Sequence, residues 1–193
     1  MKKYDLIREK SLFRIVALKD FSNVKKGDLG GLIEKEGNLD QQGNCWVYGN
    51  ARIIGDAFVC DNARVYGNAF VGDNARVYGN AFVYDNARII GNAFVCANAR
   101  VYDNARIIGD AFVGDNARVS GNAKVSKEVI VLGNAFHYYI TITDNYIQID
   151  CKQYLKSEWL QFTDEEILKM DGKKALKFWG LFKPFAINMG FFN

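Results

Sequence analysis

A six-residue unit that repeats thirteen times without a gap, over residues 51–128, is the feature that most constrains the fold of this chain. Two typical copies are ARVYGN and AFVGDN. Each unit has a small residue, a variable one, a branched aliphatic, another variable one, then Gly or Asp and Asn or Asp. The frame extends back to Leu39 and forward to Asn134, which gives sixteen units. Because every unit offers the same few side chains, a unique catalytic constellation must lie outside the repeat or be absent.

Alternation across the first four positions of the unit is typical of a short β-strand. Ala and Val or Ile point to one side, as at Ala51, Ile53, Ala57 and Val59, while Arg or Phe points to the other. The last two positions predict a corner, since Gly, Asp and Asn tolerate a positive φ. Four strand residues and two corner residues exclude a helix. A fully buried strand is also disfavoured, because polar groups return every six residues.

The form V-G-D-N-A-R, at residues 71–76 and 113–118, resembles the hexapeptide-repeat family. This resemblance implies a mainly β fold, a left-handed parallel β-helix in which three units form one triangular coil and residue n stacks on residue n+18. The left-handedness comes from the resemblance alone, because the usual preference for right-handed crossovers argues the opposite. Sixteen units then give about five coils, which form a prism roughly 25 Å tall at the usual strand spacing.

Both ends of such a prism need covering, and the flanking sequences are predicted to be caps. Residues 1–38 form the N-terminal cap, with a strand at 12–18 and a turn-rich loop at 25–31. Residues 39–134 form the β-helix. The stretch from 12 to 51 resembles the start of bacterial and prophage proteins that carry hexapeptide-repeat acyltransferase names.

Residues 135–193 are predicted to form a β-hairpin followed by a small helical module. The hairpin strands are 136–143 and 146–151, joined across Asp144 and Asn145. Residues 163–166 have the form of a helix capping box, and Asp171 precedes a second amphipathic run. Pro184 is expected to limit or kink the last helix. This tail resembles the tails of phage and mobile-element repeat proteins.

Composition and cysteine spacing exclude several kinds of site. The charged start MKKYDLIREK and the lack of a long apolar run predict a soluble protein of the cytoplasm, in a bacterial cell or an infected host. Cys45 is expected to face inward, and Cys60 and Cys96 lie two coils apart, about 9.6 Å, which is too far for a disulfide. One His and no Cys-x-x-Cys motif argue against zinc, and no cofactor is expected.

The resemblance also implies acyl transfer, in which a His acts as general base and the acyl-donor thioester binds between neighbouring prisms of a trimer. His suits this role because its pKa lies near neutrality. None of the sixteen units contains His, and the single His of the chain, His137, falls at an inward position where the frame ends. We interpret His137 as the end of the inward column and expect no catalytic residue, with acyl transfer as the alternative function.

The outward residues are therefore expected to carry the function, and the 18-residue coil divides them into three ladders. The least polar, named here the phenylalanine face, is the candidate oligomer face, and Arg76 is its single charge. Its residues are Phe58, Phe94, Phe112, Ile130 and Leu132. The tyrosine face, a tyrosine row beside alternating Arg and Phe, is the candidate partner face. Its residues are Tyr48, Tyr66, Tyr84, Tyr102, Arg64 and Arg100.

The Arg and Phe alternation has a structural explanation as good as a functional one, because a guanidinium over the ring of the next rung stabilises by about 0.5–1 kcal/mol when exposed. The amount of outward Phe, Tyr and Ile nevertheless exceeds what suits a monomer. These observations predict a non-catalytic, self-associating β-helical scaffold that binds a protein partner. If the phage resemblance holds, a host protein, including a defence component, is a candidate partner.

Nucleic-acid binding is a third class, because arginines interleaved with aromatic residues suit single strands. Seven Arg in the thirteen clean units are matched by seven Asp, and the net charge is only +3. A nucleic-acid surface needs a sustained positive stripe. Nucleic acid is therefore the less favoured partner, and no membrane partner is expected.

Overall fold

The computed structural model describes residues 2–135 and 138–192, and its central part is a parallel β-solenoid of about five turns. Fourteen strands of two residues each form the solenoid, one from each six-residue unit over residues 45–128. They are β4 (Trp46–Val47), β5 (Arg52–Ile53), β6 (Phe58–Val59), β7 (Arg64–Val65), β8 (Phe70–Val71), β9 (Arg76–Val77), β10 (Phe82–Val83), β11 (Arg88–Ile89), β12 (Phe94–Val95), β13 (Arg100–Val101), β14 (Arg106–Ile107), β15 (Phe112–Val113), β16 (Arg118–Val119) and β17 (Lys124–Val125).

Strands 18 residues apart pair in parallel and form the three sides of the solenoid. The sides have the strand orders β5-β8-β11-β14-β17, β4-β7-β10-β13-β16 and β6-β9-β12-β15. In the second side, Phe82 pairs with Arg100, and the Phe82 N–H donates to the Ala99 carbonyl at 2.9 Å. The expected stacking of residue n on residue n+18 is confirmed.

The interior of the solenoid is a column of Ala and Val or Ile side chains. From Ala51 to Val125 every residue at the first and third positions of a unit is at most 1% exposed. The predicted inward register is therefore confirmed. Only short side chains fit, because the three sides of a two-residue-strand prism lie close together around the axis.

The corners have the backbone conformation that their residues predict. Gly79 has φ +68° and Asp85 has φ +58°, both in the left-handed region that Gly, Asp and Asn tolerate. Side chains continue the stacking, since the Asn62 amide donates to the Asn80 Oδ1 at 3.1 Å and the Gly79 N–H donates to the Asp61 Oδ2 at 2.9 Å. Each turn is thus hydrogen-bonded to the next at its sides and at its corners.

The N-terminal cap extends one side of the solenoid. It consists of β1 (Tyr4–Glu9), β2 (Leu12–Ala17), β3 (Leu29–Ile33) and a short 3-10 helix, Glu36–Asn38. Strands β1, β2 and β3 pair antiparallel, and β3 then pairs in parallel with β5. The strand predicted at 12–18 is confirmed as β2.

The register of the first turn differs from the sequence frame. Leu39 bridges Val59, 20 residues on, where the frame predicts an 18-residue step. Leu32 likewise pairs with Arg52, again 20 residues on. The 18-residue step begins only at Trp46, which pairs with Arg64, because the two extra residues of this turn lie between Leu39 and Trp46.

The chain leaves the solenoid within the last predicted unit, residues 129–134, since Val129 still packs in the solenoid core. Strand β18 (Ile130–Ala135) pairs antiparallel with β19 (Tyr138–Ile142), so that Ile130 lies opposite Ile142. Phe112, on which Ile130 is predicted to stack, bridges Glu128 instead. The extension of the phenylalanine ladder to Ile130 is therefore wrong. The physical reason is local: Lys127 and Glu128 stand where earlier units have the Gly/Asp and Asn/Asp corner.

The C-terminal cap is a four-stranded antiparallel sheet with two helices. Its sheet order is β18-β19-β20-β21, with β20 (Tyr146–Ile149) and β21 (Lys152–Leu155), and the helices are α1 (Lys156–Gln161) and α2 (Asp164–Asn188). The predicted hairpin is confirmed as β19 and β20, although Phe136 and His137 lie outside the described residues. Strand β21 was not predicted.

Helix α2 begins and breaks as the sequence indicates. The Glu166 N–H donates to Thr163 Oγ1 at 3.3 Å and the Thr163 N–H donates to Glu166 Oε2 at 2.9 Å, which confirms the capping box. Helical geometry is interrupted at Asp171 and Gly172. The helix continues past Pro184 to Asn188, so Pro184 does not end it, and the alternative of a kink at this residue stays a prediction.

Polar side chains fasten this cap to the last turn of the solenoid. Ser120 Oγ donates to Gln153 Oε1 at 2.7 Å, and Gln153 Nε2 donates back to the Ser120 carbonyl at 3.1 Å. The Arg118 N–H donates to Thr141 Oγ1 at 3.2 Å. The sheet therefore covers the end of the solenoid. In the described part of the chain, no helix has the length and apolar character needed to cross a bilayer.

Candidate functional site

On the tyrosine face, a phenylalanine ring lies between two guanidinium groups. Parallel pairing of β7, β10 and β13 places Arg64, Phe82 and Arg100 on consecutive rungs. The Cζ atoms of Arg64 and Arg100 are each 5.7 Å from the centroid of the Phe82 ring. Arg88 has the same relation to Phe70 on another side, at 5.8 Å. The expected cation–π contacts between rungs are confirmed at these positions.

The tyrosines of this face form two stacked pairs. The ring centroids of Tyr48 and Tyr66 are 4.5 Å apart and those of Tyr84 and Tyr102 are 4.9 Å apart, with nearly parallel planes in both pairs. Between the pairs lies a concavity, lined by Tyr66, Gly67, Phe82, Tyr84, Asp85 and Arg100. The sequence predicts the row but not this concavity. It offers a mixed aromatic, cationic and anionic surface held in place by stacking.

The N-terminal cap covers the end of the tyrosine face that is nearest to the start of the solenoid. The Tyr48 hydroxyl donates to Asn23 Oδ1 at 2.9 Å, and Arg64 Nη2 donates to Ser22 Oγ at 2.9 Å. Burial raises the pKa of Tyr48 and that of Tyr84, so both phenols remain protonated hydrogen-bond donors at neutral pH. The part of the face that these cap contacts leave uncovered therefore begins at Tyr66.

The phenylalanine face holds three of its five predicted residues together. Phe58, Arg76, Phe94 and Phe112 occupy consecutive rungs of β6, β9, β12 and β15, and Phe94 pairs directly with Phe112. Phe58 and Phe94 are half-buried, whereas Phe112 is 40% exposed.

Glycine supports the exposed ring of this face. A Cβ atom added to Gly114 would lie 2.6 Å from the Phe112 ring, so the ring rests against the Gly114 backbone. Phe70 has the same relation to Gly72 on another side, at 2.7 Å. The two units with the sequence AFVG therefore hold their rings in the same way.

The other two predicted residues of the phenylalanine face belong to the C-terminal cap. Leu132 packs against the core that the C-terminal sheet shares with α2, and Ile130 lies on β18 with 41% of its surface exposed. Leu132 is thus already used inside the molecule. The apolar surface that remains on the solenoid is the ladder from Phe58 to Phe112.

The cysteines lie as the sequence predicts. Cys45 is fully buried, and Cys60 and Cys96 lie on the phenylalanine face on either side of Tyr78. Burial raises the pKa of the Cys60 thiol to about 11, so this thiol stays protonated. All four cysteines are free thiols. Among the described residues, no group of three His, Cys, Asp or Glu side chains is placed to hold a metal ion.

The N-terminal end of the solenoid holds a buried lysine that the sequence pattern does not predict. Lys3 is fully buried, and its Nζ donates to the Gln42 carbonyl at 2.8 Å, to the Cys45 carbonyl at 3.1 Å and to Cys45 Sγ at 3.2 Å. It closes the open end of the solenoid by satisfying carbonyl groups there. The charged sequence around it gives no signal of this burial.

Comparison with known proteins agrees with this geometry. A family model described as the YdcK beta solenoid repeat matches residues 57–73, 81–97, 99–115 and 111–127. The repeat fits the hexapeptide-repeat β-helix family. A curated relative from Escherichia coli strain K12, described as uncharacterized acetyltransferase YdcK, is 36% identical over 67 residues. The match covers 28% of this chain and spans only 21% of that relative. The shared segment is thus short in both proteins.

Proposed function

We propose that this protein is a non-catalytic scaffold that associates with copies of itself through the phenylalanine face and binds a protein partner through the tyrosine face. The observation that carries the first part is the ladder of Phe58, Phe94 and Phe112, which lies at the surface. The helical module could have covered this ladder. Its apolar residues Phe178, Trp179 and Phe182 instead pack within the C-terminal cap.

The energetics favour covering this ladder. Fully burying a large apolar side chain is worth roughly 1.5–3 kcal/mol, and half-burial leaves part of that unrealised. Three rings on one side, with Cys60 and Tyr78 between them, therefore provide a driving force for association. Arg76 is the only charge on the ladder and can be accommodated over a ring of the second copy.

Sedimentation of a double variant tests self-association. Phe94→Glu with Phe112→Glu places two charges on the ladder, and we expect a smaller sedimenting mass with an unchanged circular dichroism spectrum. Phe70→Glu is the matched control, because Phe70 rests on Gly72 as Phe112 rests on Gly114. An unchanged mass in the folded double variant contradicts self-association through this face. Equal loss of mass in the control contradicts the choice of face.

The tyrosine face supports the second part of the proposal. Phe82, Arg100 and the stacked tyrosines are held rigid, which lowers the entropy lost on binding. Tyr and Arg are also the residues most enriched among the energetic centres of protein interfaces. If the resemblance to phage proteins holds, the partner is a host protein that presents acidic and apolar groups to this surface.

Paired variants distinguish this face from the rest of the solenoid. Tyr84→Ala and Arg100→Glu are expected to lose partners that the wild-type protein captures from bacterial lysate, while Arg106→Glu, on another side, retains them. Binding of single-stranded nucleic acid that weakens steeply with salt, and that Arg100→Glu abolishes, would replace the protein partner by nucleic acid. Capture that is the same for all three variants contradicts the proposed face.

Acyl transfer is the second candidate function, and the name of the Escherichia coli relative favours it. The chain has one histidine, His137, to act as general base. A test with an acyl-donor thioester and His137→Gln separates the two functions. Turnover that is lost in a folded His137→Gln variant would establish the enzyme and contradict the non-catalytic scaffold.

A further inference from the structure

A cavity lies inside the C-terminal cap, between its sheet and its helices. Its volume is about 190 Å³. The walls are largely apolar and almost fully buried. They are formed by Tyr138, Ile149, Trp159, Ile167, Phe178 and Trp179. The polar residues at its border are Asp150, Cys151, Lys152 and Asp171. This site is separate from the two faces of the solenoid and plays no part in the function proposed above.

Helix α2 is interrupted beside this cavity. Asp171 and Gly172 have non-helical backbone angles, and Asp171 lies in the cavity lining. Ala175, which follows the break, presents only a methyl group to the cavity, whereas Phe178 and Trp179 farther along the helix present rings. One small residue therefore leaves open a volume that a larger side chain would fill.

The cavity opens to solvent at its border, where Cys151, Lys152 and Asp171 are exposed, while its inner wall is apolar and buried. Water is a poor occupant, because each buried water needs two to four polar partners and most of this lining is apolar. An apolar cavity of about 150 Å³ in an engineered protein binds benzene. The volume here suits one aromatic ring with a small substituent.

The aromatic walls and the border favour a planar ligand with one hydrogen-bond donor. The rings of Trp159 and Trp179 are 5.2 Å apart and tilted by 35°, and aromatic rings attract one another in such offset and edge arrangements. At the border, the Tyr138 hydroxyl donates to Asp171 Oδ2 at 2.7 Å. Burial and the Asp171 carboxylate raise the pKa of Tyr138, so it remains a donor. An ionised carboxylate has acceptor sites beyond this one bond.

We propose that the cavity binds a small neutral aromatic molecule that carries one O–H or N–H group, of the phenol or indole class. The ring lies among Trp159, Phe178 and Trp179. Its donor group bonds to the carboxylate of Asp171.

Titration calorimetry of the full chain with phenol and with toluene tests this proposal, because the two probes have similar shape and differ in the donor. We expect saturable binding of both, with phenol the tighter. Ala175→Phe fills the cavity and is expected to abolish binding of both probes. Leu181→Phe is the matched control, since Leu181 lies on the same helix, is 54% exposed and is not part of the lining. It should bind as the wild type does.

Asp171→Asn tests the role of the carboxylate. This change replaces a charged acceptor by a neutral amide oxygen, and we expect phenol binding to weaken by about tenfold and toluene binding to stay unchanged. The proposal is overturned if the wild type binds neither probe saturably, or if a folded Ala175→Phe variant binds both as before. Should Ala175→Phe not fold, Met170→Phe, at a half-buried lining position, supplies the same test. Equal effects of Asp171→Asn on both probes overturn the assignment of Asp171.

Discussion

One corner of the solenoid holds an alanine where its neighbours have glycine or aspartate. Ala97 has φ +54°, in the left-handed region. For an L-residue this conformation costs about 1–2 kcal/mol, because Cβ approaches the following carbonyl oxygen. Glycine removes that cost. It also raises the conformational entropy of the unfolded chain, which destabilises the fold by about 0.4–1 kcal/mol. We therefore expect Ala97→Gly to stabilise the protein by about 0.5–1 kcal/mol.

The opposite substitution one turn below should have the opposite effect. Gly79 stacks under Ala97 in the same corner and has φ +68°. A Cβ atom there would lie 2.9 Å from the Ala97 backbone nitrogen, which cannot move without disturbing the next turn. Left-handed strain and this contact together outweigh the entropy gained by adding a side chain. We expect Gly79→Ala to destabilise by about 1–2 kcal/mol.

Urea unfolding, monitored by circular dichroism, measures the stability of both variants and of a control variant. Gly180→Ala in helix α2 is the control, because no heavy atom lies within 4 Å of its added Cβ and alanine favours a helix by up to about 1 kcal/mol. A Gly→Ala substitution should therefore stabilise the protein at Gly180 in the helix and destabilise it at Gly79 in the corner. A loss of stability in Ala97→Gly, or a gain in Gly79→Ala equal to that in Gly180→Ala, would refute the reasoning.

Three further predictions follow from the register, the thiols and the helix cap. Val77→Asp buries an unpaired charge and should cost several kcal/mol, whereas Tyr78→Asp on the outer surface should be mild, and equal unfolding midpoints would contradict the register. Cys60, whose pKa is raised to about 11 by burial, should be alkylated at about pH 8 far more slowly than the exposed Cys151, as peptide mass spectrometry would show. The hydrogen bond from the Thr163 N–H lowers the pKa of Glu166 in the folded state. The contribution of Glu166 to stability is therefore fully present above its unfolded-state pKa and is lost as the pH falls through its folded-state pKa. Glu166→Gln should be less stable than wild type at about pH 7 and no less stable at about pH 2, as urea unfolding at the two pH values would show.

Most of the solenoid could be predicted because a strict period specifies the same local structure again and again. The inward column follows from alternation at positions such as Val77, and the Arg64–Phe82–Arg100 stack follows from the 18-residue step. The ends could not be predicted in the same way. Lys3 is buried because it donates hydrogen bonds to Gln42 and Cys45, which are 39 and 42 residues away. The charged residues around Lys3 in the sequence cannot predict contacts at that distance. The cap cavity likewise depends on how a sheet and a broken helix meet.

The prediction that Leu132 lies on the phenylalanine face is wrong for a physical reason. Its unit keeps the alternation of a strand, so the pattern alone places it on the phenylalanine face. A strand can pair in parallel or antiparallel with the same alternation, and the choice depends on the corner that precedes it. Without Gly or Asp before Val129, the chain turns into the antiparallel sheet, and Leu132 enters the core of the cap.

A single change of phase in the repeat creates the apolar surface on which the proposed self-association rests. Arg and Phe units alternate regularly up to Arg100, but the next unit begins with Arg106 instead of a phenylalanine. In the turns before this point, unlike residues stack, as Arg64 does on Phe82. In the turns after it, like residues stack, as Phe94 does on Phe112.

Like-on-like stacking is the poorer arrangement for the isolated chain. Arg88 pairs with Arg106 and Arg100 pairs with Arg118, and like charges opposite each other destabilise a sheet. The same change concentrates apolar surface at Phe94 and Phe112 and positive charge on the other two sides. A break in a local rule without an internal gain points to a surface that serves binding. The ladder of Phe94 and Phe112 is therefore where a second copy of the chain is expected to bind.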